Sequence, residues 1–429
     1  MKSLQESVED PSLYKNYSED CPVWIKGIGY NCIKTTVRCP MLKRITIRNV
    51  QSIDCCEIDF EKGNYRFADD NIYEDVVNPI VIYGHNGSGK SSVMKAIAEL
   101  ISMMIAPAES LMPFSVNDFR FQEYRKDPVG KKDLVKGVVE LNFTVEKDQY
   151  EYYLETSRHP GEGITHEYLK KNGELHFDRI GSSYIYKGKR ESIDKAISIY
   201  APLLRLLASS EIGDVGIQMA YTHICSYVHV DLSLASKGGF VTSRLFANAN
   251  TFDLLVSKSS EVMEALREYG TFPVYSVHKN QVISPEGLPN TQYSIHFEEE
   301  GFKGALPVQL ISTGMYNQSV LLSLLFSMPK GSVLFVDEAD IALHPTTLKA
   351  FLKVIRERRI QVVLALHNTF AMQELRPDQV YFAKWDKGFS SYHRLSRIYP
   401  NIREVNNMEK MYLSSLFDEA MGDSGLLAI

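Results

Sequence analysis

The chain lacks any long apolar run, any cysteine spacing suited to a metal, and any strong excess of one charge. Its most apolar stretch, Val320 to Phe326, falls far short of the roughly 20 residues that a membrane-spanning helix requires, so no membrane partner is expected. The six cysteines, Cys21, Cys32, Cys39, Cys55, Cys56 and Cys225, fit no C-x-x-C pattern, which argues against zinc. No signal peptide precedes them, and they read as reduced thiols of a cytoplasmic protein. A formal net charge of −6 argues against wrapping nucleic acid by bulk charge. Two basic clusters, KGKR at Lys187 to Arg190 and RERR at Arg356 to Arg359, leave a nucleic-acid partner open, although each fits a solvated turn or helix better. No apolar heptad pattern continues past about 30 residues, which excludes long coiled-coil arms.

What the sequence does contain is a pair of motifs about 250 residues apart. GHNGSGKS at Gly84 to Ser91 follows the apolar run Ile80 to Tyr83 and fits the phosphate-binding P-loop. VLFVDEAD at Val333 to Asp340 reads as a buried parallel strand that delivers two carboxylates to a sheet edge. Gly84, Gly87 and Gly89 let the loop turn its N–H groups toward phosphate oxygens, with Asn86, Ser88 and Ser92 completing the nucleotide-binding segment. Lys90 supplies a point charge for the β- and γ-phosphates, and the Ser91 hydroxyl is a ligand for Mg²⁺. Asp337 would hold that Mg²⁺, and Glu338 would orient or deprotonate an attacking water. Ser312, Thr313 and Gly314 form a polar turn at the mouth of an apolar helix, suited to a γ-phosphate contact. His367, after the apolar run of Gln361 to Leu366, stands where a γ-phosphate sensor is expected. His85 has no assigned role, and Gln122 is a candidate for a Mg²⁺-linked glutamine by position only.

This order of motifs resembles the layout of ABC-type ATPases, and within them the AAA ATPase domain 15 family, the OLD-like and abortive-infection branch. MLKRITIRNVQSID at Met41 to Asp54, DEADIALHP at Asp337 to Pro345, LRPDQVYFAKWDKGFSSYHRLS at Leu375 to Ser396 and EKMYL at Glu409 to Leu413 carry the resemblance. It implies a homodimer or higher homo-oligomer with ATP sandwiched between subunits. Lys90, Asp337, Glu338 and His367 would then act in cis, and Ser312, Thr313 and Gly314 in trans. The turn STGMYNQ departs from the transporter-like LSGGQ, which argues against a transporter subunit. The roughly 60 residues after His367 are too few for the nuclease domain that OLD nucleases carry. The resemblance therefore implies an ATPase that controls a separate, nuclease-like effector in bacterial anti-phage defence. A RecF-like DNA maintenance clamp and a non-hydrolysing ATP-dependent scaffold are the alternatives.

At 429 residues, 44% hydrophobic and 23% charged, the chain is globular and larger than one usual core. The expected fold class is α/β: a P-loop NTPase of ABC-ATPase head type with an antiparallel β subdomain and an inserted helical lobe. Residues 1–40 are expected to be a partly disordered extension, or to lie upstream of a true start at Met41. Residues 41–190 and 271–429 would form the two parts of the head, and residues 191–270 the lobe. Leu42 to Val50 and Cys55 to Phe60 read as a strand pair, and Ser91 to Ile105 as a helix. Gly137 to Glu146, Glu151 to Ser157 and Gly181 to Tyr186, the last after an Asn172-Gly173 turn, read as antiparallel strands. Ile193 to Ile224, broken at Gly213 and Gly216, and Thr251 to Tyr269 read as the helices of the lobe.

Overall fold

The structure is a computed structural model. It describes residues 39–106, 136–157, 161–194, 197, 199–210, 212–232, 274–283, 289–298, 306–307, 321–322, 324–326, 328–340, 345–386 and 388–417. The expected extension before Cys39, Gln122, the helix over 251–269 and the Ser312–Gly314 turn lie outside these residues.

Five strands form the parallel part of a 14-stranded sheet, in the order β18 (Val380–Asp386), β5 (Ile80–Tyr83), β17 (Gln361–Ala365), β16 (Val333–Asp337) and β12 (Val228–Asp231). β5, β16 and β17 are buried at every residue, because helices cover both faces of the sheet. The two-residue period divides their side chains between two cores. Ile82, Phe335 and Val363 pack with Val93, Met94 and Ile97 of α1 (Lys90–Ile105). Val81, Val336 and Leu364 pack with Leu348, Phe351 and Ile355 of the helix Pro345–Arg358. Among the described residues no helix is long and apolar enough to cross a membrane.

Beside β18 runs the antiparallel β19 (Phe389–Arg394), which meets β2 (Ile53–Asp59) in parallel at Ser390 and Ile53, and from β2 an antiparallel part begins with β1 (Met41–Val50). It continues through β6 (Lys136–Val145), β7 (Asp148–Ser157), β8 (Ile164–Lys171), β9 (Glu174–Ile180), β10 (Ser183–Tyr186) and β11 (Lys189–Ser192). The Asn172-Gly173 turn joins β8 to β9, with φ of 53° and 82°, the left-handed pair that a tight hairpin turn needs. The expectation had only one strand after that turn. Polar residues such as His166, Lys170 and Asp178 interrupt the apolar alternation of β8 and β9, so the pattern alone did not separate them.

Residues 203–232, expected within a helical lobe, instead pack on the head. The helices Leu203–Ala208 and Val215–Cys225 bury Leu203, Leu204, Leu207, Ile217 and Ile224 in the same core as α1. The segment before Pro202 is not helical among the described residues. A buried carboxylate fixes the first helix: Glu167 accepts from Leu203 N at 2.6 Å and Leu204 N at 2.9 Å, which satisfies donors left open at a helix start. Arg179 lies 3.5 Å from the same carboxylate and donates to Ala201 O at 2.7 Å. β12 then follows as a strand of the head. Residues 274–307, expected in the head, contain a second, three-stranded sheet: β13 (Val274–Ile283), β14 (Pro289–Glu298) and β15 (Leu306–Pro307). A further small pair, β3 (Ile72–Tyr73) and β4 (Val76–Val77), precedes β5.

Much of the resemblance-bearing tail is architecture. Arg376, Asp378 and Gln379 are fully buried. Arg376 donates to Phe67 O at 2.8 Å, to Asp69 at 2.9 Å and to Asp378 at 3.1 Å, and so pins the loop before β3. Gln379 donates to Pro79 O at 2.7 Å, and Gln361 exchanges two hydrogen bonds with the backbone of Leu42 at 2.7 and 2.8 Å. These amides close backbone groups at the amino ends of β1 and β5.

His223 gives the fold a pH dependence. It is buried against Phe143 (4.9 Å between ring centroids) and meets Tyr227 Oη at 3.1 Å, while its Nδ1 has no partner. Burial lowers its pKa from 6.5 to about 3. Between these values the unfolded chain binds a proton that the folded chain does not, so stability falls as pH falls. Urea unfolding from pH 7 to pH 4 should show this loss, and His223→Phe should flatten the dependence over that window.

Candidate functional site

The site lies at the carboxyl edge of the parallel strands, where chain reversals leave open backbone groups and helix ends. β5 runs into the Gly84–Gly89 loop, which opens α1 at Lys90. Two glycines are required there. A Cβ on Gly84 (φ 155°) would stand 2.4 Å from Ala383 O, and one on Gly89 (φ 103°) 2.2 Å from Ser390 Oγ. The loop is thus pressed onto β18 and β19, and Tyr392 Oη donates to Gly89 O at 2.7 Å.

Lys90 is 5% exposed and donates to Gly84 O at 2.8 Å and His85 O at 3.2 Å. His85 therefore contributes its carbonyl to the loop, and its side chain is exposed. Asn86 and Gly87 are exposed at the loop tip, and Ser88 is buried with an unpartnered hydroxyl. Ser92 turns away from the loop mouth: its hydroxyl is 3.2 Å from Ser52 Oγ, which is 2.7 Å from Ser390 Oγ. Burial lowers the pKa of Lys90 below the usual lysine range, and Asp337, Asp340 and Glu338 oppose that shift.

Asp337 ends β16 facing α1. It is 2% exposed, its side chain is hydrogen-bonded to Ser91, and its Oδ1 has no partner. Burial raises its carboxyl pKa above the ordinary aspartate range; the Ser91 bond works against this, Asp231 and Glu338 add to it, and Lys95 opposes it. A buried carboxylate oxygen with no donor, beside a hydroxyl, fits a hard divalent cation, for which carboxylate and hydroxyl oxygens are suitable ligands. Asp337 and Ser91 would hold it. Glu338 follows with φ 52°, a left-handed backbone that costs a non-glycine residue roughly 1–3 kcal/mol and turns the chain sharply off the strand.

β17 ends beside β5, with Leu366 N donating to Ile82 O at 3.1 Å, and the next residue, His367, is exposed at the same edge. Two residues hold its segment. Asp340 Oδ2 accepts from His367 N at 2.7 Å and also from Asn368 N. Glu409 accepts from Thr369 Oγ1 at 2.9 Å and from Gln373. Lys90, Ser91, Asp337, Glu338 and His367 thus share one edge.

A family model described as "AAA domain, putative AbiEii toxin, Type IV TA system" matches residues 80–372. The chain belongs to this family. The matched residues of this AAA-domain chain run from β5 through the P-loop and β16 to just past His367. Membership implies ATP binding, and the fold is an α/β one in which a P-loop joins a buried parallel strand to a helix. No curated protein matches. Among solved structures, an SMC head bound to the C-winged helix domain of ScpA is 14% identical, over 82% of this chain and 97% of that one, with a TM-score of 0.47. An SMC head domain from Thermotoga maritima is 15% identical over 82% and 98%, with a TM-score of 0.38. RecF in the RecFOR pathway is 11% identical over 83% and 99%, with a TM-score of 0.39. Likenesses of this size say nothing about activity or partners.

Sequence reasoning missed Asp231, Asp340 and Glu409 as parts of this edge. Asp340 stood within the quoted DEAD motif. Asp231 ends VHVD as Asp337 ends VLFVD, a signal that four residues made too short to read.

Asp340→Ala should free two backbone N–H groups and destabilise the protein by about 1 kcal/mol. Asp340→Asn, which keeps an acceptor oxygen, should recover part of this. Urea unfolding checks the stability, and amide exchange at His367 and Asn368 should quicken in the same order.

Proposed function

We propose that the chain binds ATP with Mg²⁺ at this edge, hydrolyses it, and closes around it as a homodimer or higher homo-oligomer to control a separate, nuclease-like effector in bacterial anti-phage defence. The observation that carries the hydrolytic reading is the convergence of a buried lysine just past β5 with a buried carboxylate, one oxygen unpartnered, and a second carboxylate at the end of β16, two parallel strands that flank β17. Lys90 and the loop amides receive the β- and γ-phosphates. The cation, when bound, neutralises phosphate charge and aligns the γ-phosphoryl group. Glu338 takes the proton of the water that attacks the γ-phosphorus while the bond to the β-phosphate oxygen breaks and ADP departs. His367 donates to the γ-phosphate, and Ser312, Thr313 and Gly314 of a second copy close over it. The family description, which names a toxin of a Type IV TA system, supports the defence setting. The OLD-like assignment is supported by the segments Asp337–Pro345, Leu375–Ser396 and Glu409–Leu413.

Lys90→Ala should weaken binding of a fluorescent ATP analogue at least about tenfold, through loss of the charge-assisted phosphate contact. Glu338→Gln should keep ATP and lower turnover by about 10²–10⁴. With ATP and Mg²⁺ its mass by light scattering should rise to that of a closed assembly. A high mass that ATP does not change would point to a constitutive scaffold, and a monomer under all conditions would overturn closure.

A further inference from the structure

The segment EKMYL, at Glu409 to Leu413, belongs to a short helix, Met408–Leu413, that packs beside the ends of β5 and β18. Asn407 starts this helix by accepting from Lys410 N at 2.9 Å, and Met408 is buried in the core that holds Val81 and Leu364. Glu409 and Tyr412 stand three residues apart on it, so they share a face. Tyr412 stacks on Phe382 of β18, with ring centroids 5.2 Å apart, and its ring lies 6.4 Å from that of Tyr83. Tyr83 is the last residue of β5 and precedes Gly84 of the phosphate loop. Glu409 reaches the other side of the edge. One of its oxygens accepts from Thr369 Oγ1 at 2.9 Å, and the other accepts from the Gln373 side-chain amide. Both donors lie on the 3₁₀ helix Thr369–Glu374, which Asn368 caps by accepting from Phe370 N at 2.9 Å. His367 stands just before that cap. One helical face thus grips both the strand that leads into the phosphate loop and the turn that follows His367.

We propose that Glu409 is a positioning residue for His367, one that sets hydrolysis and not ATP binding; this rests on the reading of His367 as a donor to the γ-phosphate. The His367 side chain is exposed, so its place is set by the backbone that carries it. Asp340 holds that backbone at the His367 N–H, at 2.7 Å, and Glu409 holds it again from two residues further on. A segment held at one end can still swing about its backbone bonds, and a second hold removes that freedom. A misplacement of about 1 Å can cost about 10²-fold in rate. Among the described residues the Glu409 bonds go to Thr369 and Gln373, away from the loop that holds Lys90. Thr369 is half-buried and Gln373 exposed, so both donors can turn to water when the carboxylate is removed, and the fold survives.

The full chain is assayed for ATP turnover and for binding of a fluorescent ATP analogue. Glu409→Ala should lower kcat about tenfold and leave the Kd of the analogue unchanged. Glu409→Gln, which keeps an acceptor oxygen for Thr369, should recover most of kcat, and Thr369→Val should fall between the two. His367→Ala should lower kcat by itself, and adding Glu409→Ala to it should lower kcat no further, since the two act through one group. If Glu409→Ala unfolds below the assay temperature, Thr369→Val carries the same comparison against His367→Ala. An equal fall with and without His367, a Kd that weakens in step with kcat, or an unchanged kcat in Glu409→Ala would each overturn the positioning role. Wild-type turnover in His367→Ala would overturn the reading of His367 itself, and a wild type without turnover would overturn the hydrolytic reading on which both stand.

Discussion

Lys90 and Asp337 sit almost out of water at one sheet edge, 5% and 2% exposed, and burial alone drives each toward its neutral form. What keeps the lysine cationic is the carboxylate set around it, together with carbonyls of its own loop. What favours the ionised Asp337 is the Ser91 hydroxyl and the exposed Lys95. Opposite charges held this way, in a poorly hydrated place, interact far more strongly with an incoming polyanion and cation than they would on an open surface. The rest of the head serves that condition. Helices on both faces exclude water from β5, β16 and β17, and α1, which begins at Lys90, packs beside β16, which ends at Asp337.

The loop that holds Lys90 is braced from behind by distant parts of the chain. Ser52, in the turn between β1 and β2, and Ser390 and Tyr392, on β19, meet each other or the loop through Ser92 and Gly89. The antiparallel part of the sheet is therefore joined to the phosphate loop by hydrogen bonds and not by proximity alone. On the other side, Asp340 and Glu409 fasten the segment of His367. The charged groups of the edge and the acids and amides around it divide the work: some residues stand at the open edge, and others remove freedom from the residues that do.

The tail segments that most resemble the OLD-like family fall in the second group. Arg376, Asp378 and Gln379 are buried at the far end of the sheet, where an arginine with carbonyl and carboxylate partners on several sides locks a loop in place. Such a motif has a structural cause. A buried guanidinium has to satisfy all its donors at once, and few side chains can replace it.

Sequence by itself determined the P-loop, the buried strand ending in Asp337 and Glu338, the strand ahead of His367, and the α/β class. Each depends on local spacing: glycines at turn positions, apolar runs of strand length, and acids just past them. The strands β8 and β9 were not legible, since their outward faces are charged and their alternation is broken, and neither was the hairpin of Val274–Ile283 with Pro289–Glu298. Tertiary structure alone decided that residues 203–232 pack on the head, that Ser92 faces Ser52, and that Asp231 lies opposite Asp337. The reason is physical. A four-residue strand has no signature of its own, and it acquires both its identity and its place at the site from the register of the neighbour to which it hydrogen-bonds.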